Sequence, residues 1–251
     1  MAEIAPVQPQ RAVDQVTERL RAAILDGTYP AGERLPPERA LAESLAVNRL
    51  TLRSALARLE AEGLVRPRHG DGVRVLPFER SAGVALLPDL LEGDDPALLR
   101  AFLELRRALA VEAVALACER ATEENLERLR ALAAAQAEEE DLAAFAERDL
   151  EFGREVLRAA QNLPMQLLLN TVAEVHRRRP ELRDALYADR GAVRASYLAV
   201  FALLKARDQE RARALVRSAL AAQDELALER FAKRRRGRID STSAKSSKRR
   251  R

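Results

Sequence analysis

The sequence has no tryptophan, one cysteine and only two histidines in 251 residues. A lone Cys118 excludes an internal disulfide and fits a reducing cytoplasm. Its neighbours Val114, Leu116 and Ala117 mark it as a small core hydrophobe. Aromatic residues make up 4% of the chain, so any core is built from leucine- and alanine-packed helices. There is no apolar run long enough to span a bilayer. The first ten residues lack the basic start and apolar centre of a signal peptide, so a cytoplasmic protein with no membrane partner is expected.

What is present suits long, solvent-laced helices: 47% hydrophobic and 33% charged residues, in a length that fits one large or two ordinary domains. The net charge of +4 conceals an asymmetry. Residues 233 to 251 hold ten Lys or Arg and one acid, Asp240. That segment carries a net +9, which leaves the body of the chain at −5. Overall basicity is therefore no argument for nucleic-acid binding; a local one is needed.

It comes from Arg34 to Leu76, RLPPERALAESLAVNRLTLRSALARLEAEGLVRPRHGDGVRVL. Pro36 and Pro37 suit the start of a helix, where a missing N–H costs nothing. Leu41, Leu45 and Val47 follow as its apolar side and exit. Asn48 is a good N-cap for a second helix whose Leu52, Ala55, Leu56 and Leu59 recur at helical spacing. Gly63 stands where a left-handed residue ends that helix. The opposite face carries Arg49, Thr51, Arg53 and Arg58. Val65–Arg68 and Val73–Leu76 then alternate as hairpin arms around His69-Gly70-Asp71-Gly72. A helix opening Arg-Leu-Thr-Leu-Arg can enter a major groove N-terminus first. With a helix from about Ala12 to Asp26 in front, this predicts a winged helix-turn-helix.

The same residues resemble the DNA-binding domain of the GntR family of bacterial transcription regulators. The resemblance rests on the Leu-Pro-x-Glu-Arg start, the small-residue turn, Arg-x-Thr-x-Arg on the recognition helix and Leu-x-x-Gly-Leu before the wing. His69-Gly70 and the run Phe78, Glu79, Ser81 and Gly83 are similar to the FadR subfamily in particular. The resemblance implies that Arg39 and Arg49 contact bases, that Asn48, Thr51 and Arg53 hold phosphates, and that His69 and Gly70 enter the minor groove. Two positions depart from that pattern. Leu50 stands in place of a threonine, and Asp71 in place of a wing-tip lysine, where a carboxylate beside phosphates is unfavourable.

After Pro77 the strand signals cease. Starts or breaks at Asp95-Pro96, Thr122, Asp141, Asn162 with Pro164, Pro180 and Asp208 divide the rest into six or seven antiparallel helices, a bundle. The expected organisation is a disordered 1–10, a winged domain over 11–76, a linker 77–83, a helical effector-binding and dimerisation domain 84–231 and a disordered basic tail 232–251. The fold class is mainly α, a winged helix-turn-helix followed by an antiparallel helical bundle.

Residues 83–220 are similar to the all-helical effector domain of the FadR subfamily, through Leu103-Glu104-Leu105-Arg106, Ala144-Phe145-Ala146-Glu147-Arg148-Asp149 and Asn162. Many members of that subfamily bind a divalent metal through one Asp and three His. The Asp position matches Asp149, but the His positions fall on Gly153, Tyr197 and about Ala219, so no metal and no other cofactor is expected. The resemblance instead implies a small-molecule effector, an acyl-CoA or another carboxylate, met by Arg106, Asp149, Asn170, His176 and Tyr197. For each, an ordinary role stands beside the functional one: a helix-face carboxylate for Asp149, a surface residue for His176, a core aromatic for Tyr197. Arg106, among Phe102, Leu105 and Leu109, calls for an anionic partner, either Asp149 or a ligand.

The expected function is a homodimeric transcription regulator on a palindromic double-stranded operator, relieved by an effector in the bundle. A regulator answering to a small organic acid, and an architectural DNA binder without effector, are the alternatives. No enzyme is expected: Glu104 and Asp149 can serve acid–base chemistry, but no nucleophile, metal or phosphate-cradling glycine loop accompanies them.

Overall fold

A computed structural model of the chain describes residues 9–93 and 95–248, with side chains from 11 to 93 and from 95 to 233. The chain divides into two compact units, one ending at Leu90 and one beginning at Leu91.

The first unit has three helices, α1 (Pro9–Leu25), α2 (Glu38–Ser44) and α3 (Arg49–Ala61), and a hairpin of β1 (Val65–Arg68) and β2 (Gly72–Val75). The apolar stripe of α1 (Val16, Leu20, Ile24) packs with Leu52, Ala55 and Leu59 of α3, all buried. Each such leucine contributes about 1.5–3 kcal/mol by leaving water. The turn between α2 and α3 passes through Ala46 at φ +54, held by Val47 N–H donating to Ala42 O at 3.0 Å. Asn48 caps α3 by accepting from the Thr51 N–H at 2.8 Å. β1 and β2 pair antiparallel, Val65 opposite Val75, and the backbone of Gly32 and Leu35 donates to Val75 and Val73, so the wing has a third edge.

Gly63 does more than end α3. It sits at φ +78, and a Cβ there would lie 2.1 Å from the Ser81 carbonyl oxygen. That oxygen belongs to a short helix α4 (Phe78–Ser81), whose Ser81 hydroxyl donates to Gly63 O at 2.6 Å. The segment expected as a linker over 77–83 is therefore docked on the first unit. So is the stretch that follows it, through a 3-10 turn at Val84–Leu86 and α5 (Leu87–Leu90), with Leu86 inside the same core. Arg21 joins Glu62 at 2.6 Å and Asp89 at 3.3 Å. The second unit thus begins seven residues later than the 84 expected from sequence, because Leu86 and Leu90 find apolar neighbours in the winged unit.

Among the described residues the second unit contains seven helices: α6 (Pro96–Arg120), α7 (Glu123–Ala137), α8 (Leu142–Ala159), α9 (Leu163–Arg178), α10 (Pro180–Leu186), α11 (Arg190–Ala206) and α12 (Gln209–Lys248). The starts foreseen from capping residues hold. Asp95, Thr122, Asp141 and Asn162 each accept a hydrogen bond from the first turn they precede, and Asp208 accepts from Arg211 N–H at 3.1 Å. The connection before α12 turns at Arg207, φ +58, whose guanidinium donates to Cys118 O and Ala121 O. Cys118 is fully buried, as expected.

Two expectations about the ends are corrected. Pro9 and Gln10 belong to α1, while residues 1–8 lie outside the described residues. The tail expected to be unstructured from 232 continues the backbone of α12 to Lys248; residues 249–251 lie outside the described residues. No helix of the described residues is long and apolar enough to cross a membrane.

Candidate functional site

Most of the residues expected to meet DNA are exposed on the first unit. Asn48 places the amino end of α3 in solvent, with Arg49 exposed and, among the described residues, without an ion pair or hydrogen bond. Arg53, one turn on, is two-thirds exposed and holds Glu38 at 2.8 Å. Arg39 on α2 is exposed and only loosely opposite Glu43, at 3.9 Å. These pairs are surface pairs, worth about 1 kcal/mol or less, so a phosphate or guanine edge can displace them. Thr51 is half-buried and its N–H is committed to the cap. His69 and Gly70 are exposed at the hairpin tip, Gly70 at φ +74.

Three further residues alter the sequence-based picture of this edge. Arg58, grouped there with the DNA-facing arginines, instead pairs with Asp14 of α1. Asp71 is ion-paired with Arg34 and, at 3.1 Å, with Arg74. The Arg74 hydrogen bond, chiefly, holds the Asp71 carboxyl below its ordinary pKa. Its charge at the wing tip is thus locally compensated. Leu50 is 76% exposed beside Arg49, an unusual place for a leucine. The departure from threonine at this position is visible in the sequence; its exposure at the opening of the recognition helix is not.

The second unit holds a cavity of about 300 Å³ between α6, α8, α9, α11 and α12. Its wall is mostly leucine, valine, alanine and one methionine. All four positions aligned with the subfamily's metal ligands, Asp149, Gly153, Tyr197 and Ala219, line it. Their chemistry does not fit a metal. Gly153 and Ala219 bring no donor atom, and both Asp149 oxygens accept phenol hydrogen bonds, one from Tyr187 at 2.5 Å and one from Tyr197. Burial and the neighbouring Asp149 charge push both phenols well above their ordinary pKa, so they stay protonated and donate. Tyr197 stacks on Phe152 at 4.2 Å between centroids, and Tyr187 packs edge-on to Phe145.

Arg106 lines the same cavity, 9% exposed. It is paired, but not with Asp149. Its Nη2 donates to Asp224 Oδ1 at 2.7 Å and to Gln223 Oε1 at 3.0 Å, both on α12, and Arg107 shares Asp224 at 2.7 Å. Burial pushes the Asp224 carboxyl up, and the two arginines act against it. The expectation that Arg106 needs Asp149 or a ligand anion is thereby corrected: a third residue supplies the charge.

His176 is 3% exposed, lines the cavity, and has no hydrogen-bond partner on either ring nitrogen. Burial first, then the charges of Arg106 and Arg183, lower its pKa to about 3, so the ring is neutral. Its ring stands perpendicular to that of Tyr187, 5.9 Å away between centroids. Four of the five residues expected around an effector, Arg106, Asp149, His176 and Tyr197, therefore surround one cavity. The fifth, Asn170, is exposed on α9 and is not among the cavity's lining residues. Tyr187, Gln223 and Asp224 were missed. Tyr187 follows a short helix that carries no periodic signal, and Asp224 is one acid among many on a charged helix.

Comparison with known proteins gives a consistent picture. Residues 12–75 match the family described as bacterial regulatory proteins, gntR family, and residues 101–222 match the FCD domain. An uncharacterized HTH-type transcriptional regulator of Mycobacterium tuberculosis is 34% identical over 215 residues, 86% of this chain and 89% of that protein. The HTH-type transcriptional regulator Mce2R of Mycobacterium tuberculosis is 38% identical over 170 residues, 66% of this chain and 71% of its own. Among solved structures, Lar, which controls the expression of the Listeria monocytogenes agr system, aligns over 90% of this chain and 99% of its own. The TM-score is 0.57 at 18% identity, a likeness of fold.

Proposed function

Because the chain belongs to the GntR family of DNA-binding transcription regulators, with an FCD domain behind its winged unit, we propose that it acts as a cytoplasmic homodimer on a palindromic operator, released by a small molecule held in the helical unit. The observation that carries the DNA side is the free amino end of α3, where Arg49 and Leu50 stand exposed with Arg53 one turn behind. Arg49 contacts a guanine edge, Leu50 a thymine methyl, and Arg53, Arg39 and the hairpin residues His69 and Gly70 the flanking backbone and bases. One such unit offers few base contacts, and a two-fold operator is matched by a two-fold dimer. On the ligand side the support is the largely apolar cavity with an unpartnered polar ring in its wall.

The test is a panel of single-base operator variants. Arg49→Ala is expected to cost about 1–3 kcal/mol on the operator and to relax preference at one position per half-site. Arg53→Ala is expected to weaken every sequence alike. Equal behaviour of the two variants across the panel would show that the assigned roles are wrong.

A further inference from the structure

Among the described lining residues, three charged groups and one neutral base face the cavity: Arg106, Asp149, Asp189 and His176. Arg106 is already engaged, since Asp224 holds it at 2.7 Å and Gln223 takes a second contact at 3.0 Å, although Arg107 shares that carboxylate. Asp149 is already surrounded by the two phenols, and Asp189 caps α11 by accepting from Ala192 N–H at 3.0 Å. With Asp224 and Arg107 behind Arg106, the groups around this space sum to one negative charge. A ligand carboxylate placed here meets two fixed carboxylates and no cation that lacks a carboxylate contact of its own, and leaves water to do so. The rest of the wall is apolar.

What the wall lacks is a partner for two buried groups. Both nitrogens of His176 are unsatisfied, and so is Arg106 Nε. A neutral imidazole presents one N–H and one lone pair. Buried polar atoms left without partners are destabilising, and a ligand group able to donate and accept removes that penalty. A hydroxyl does both without bringing charge.

We infer that this cavity takes an uncharged, largely apolar molecule whose single hydroxyl or comparable neutral group bonds His176, and that it discriminates against a carboxylate of the same length. This rests on the ligand-controlled reading given above and narrows its chemistry. It also replaces the acyl-CoA or carboxylate ligand expected from the family resemblance, which rested on the helical domain's likeness, its missing metal ligands and an Arg106 in need of an anion.

The test separates binding from regulation. The full chain, free of DNA, is titrated with 1-decanol and with decanoate at neutral pH by calorimetry, for the parent, His176→Phe and His176→Gln. Circular dichroism checks that each variant is folded. The alcohol is expected to bind about tenfold or more tightly than the carboxylate, the equivalent of one well-made hydrogen bond and one avoided charge clash. His176→Phe should lose about tenfold for the alcohol, and His176→Gln, which keeps a donor and an acceptor, should retain most of the affinity. Decanoate binding as tightly as decanol, no saturable binding of either probe, or unchanged alcohol affinity in folded His176→Phe each overturns the inference. The same probes are then added to the operator complex. Alcohol binding that leaves the operator complex intact keeps the inference about the cavity and removes ligand control of DNA binding.

Discussion

Replacing His176 by phenylalanine should change how the protein's stability depends on pH. In the folded chain the ring is buried and faced by Arg106 from α6, Arg183 from α10 and the perpendicular ring of Tyr187, and its pKa falls from 6.5 to about 3. Unfolded, the same histidine titrates at its ordinary value. As pH drops through 6.5 the unfolded chain therefore takes up a proton that the folded chain refuses, and stability falls until about pH 3. The loss accrues at about 1.36 kcal/mol per pH unit, so about 2 kcal/mol has gone by about pH 5. Phenylalanine removes the titration while filling a similar volume, and at neutral pH the exchange costs little because neither ring nitrogen had a partner. Urea unfolding, followed by far-UV circular dichroism at fixed protein concentration, measures both chains between about pH 7.5 and 5. The parent should lose about 2 kcal/mol more than the variant over that interval. Parallel curves for the two proteins would refute the buried neutral histidine.

Three further outcomes follow from the same geometry. If Leu50 packs on a thymine methyl, Leu50→Ala should cost about 1 kcal/mol on the operator, and replacing the contacted thymine by deoxyuridine should weaken the parent but not the variant in a binding titration. Treating the purified protein with EDTA should leave operator affinity unchanged, and metal analysis should find no near-stoichiometric zinc, nickel or manganese, because Gly153 and Ala219 bring no donor atom to the cavity. Removing residues 234–251, with their nine Lys or Arg, should weaken all DNA sequences similarly and flatten the salt dependence; a loss confined to the operator would count against a non-specific role.

The winged unit was legible in the sequence because its determinants are local. Asn48 caps the helix it precedes, leucines repeat at the period of that helix, and Gly63 supplies a positive φ that few other residues tolerate. The helix starts of the second unit followed from the same local chemistry at Asp95, Thr122, Asp141 and Asn162. Residues brought together across the fold were another matter. The docking of Ser81 on Gly63 left no periodic trace, so a packed segment looked like a linker.

The cavity divides along the same line. The family resemblance pointed to four positions, and the sequence displays their residue types: a glycine and an alanine among them cannot donate an electron pair from a side chain. Only tertiary structure decided the partners: that Arg106 meets Asp224, 118 residues away, that Tyr187 and Tyr197 converge on Asp149, and that neither ring nitrogen of His176 has a hydrogen-bond partner. Local interactions are fixed by neighbours a few residues apart, which a sequence displays directly. The charge balance of a buried cavity is fixed by which helix faces pack together, and many alternative pairings of one arginine with the acids of a highly charged chain are compatible with the same string of residues.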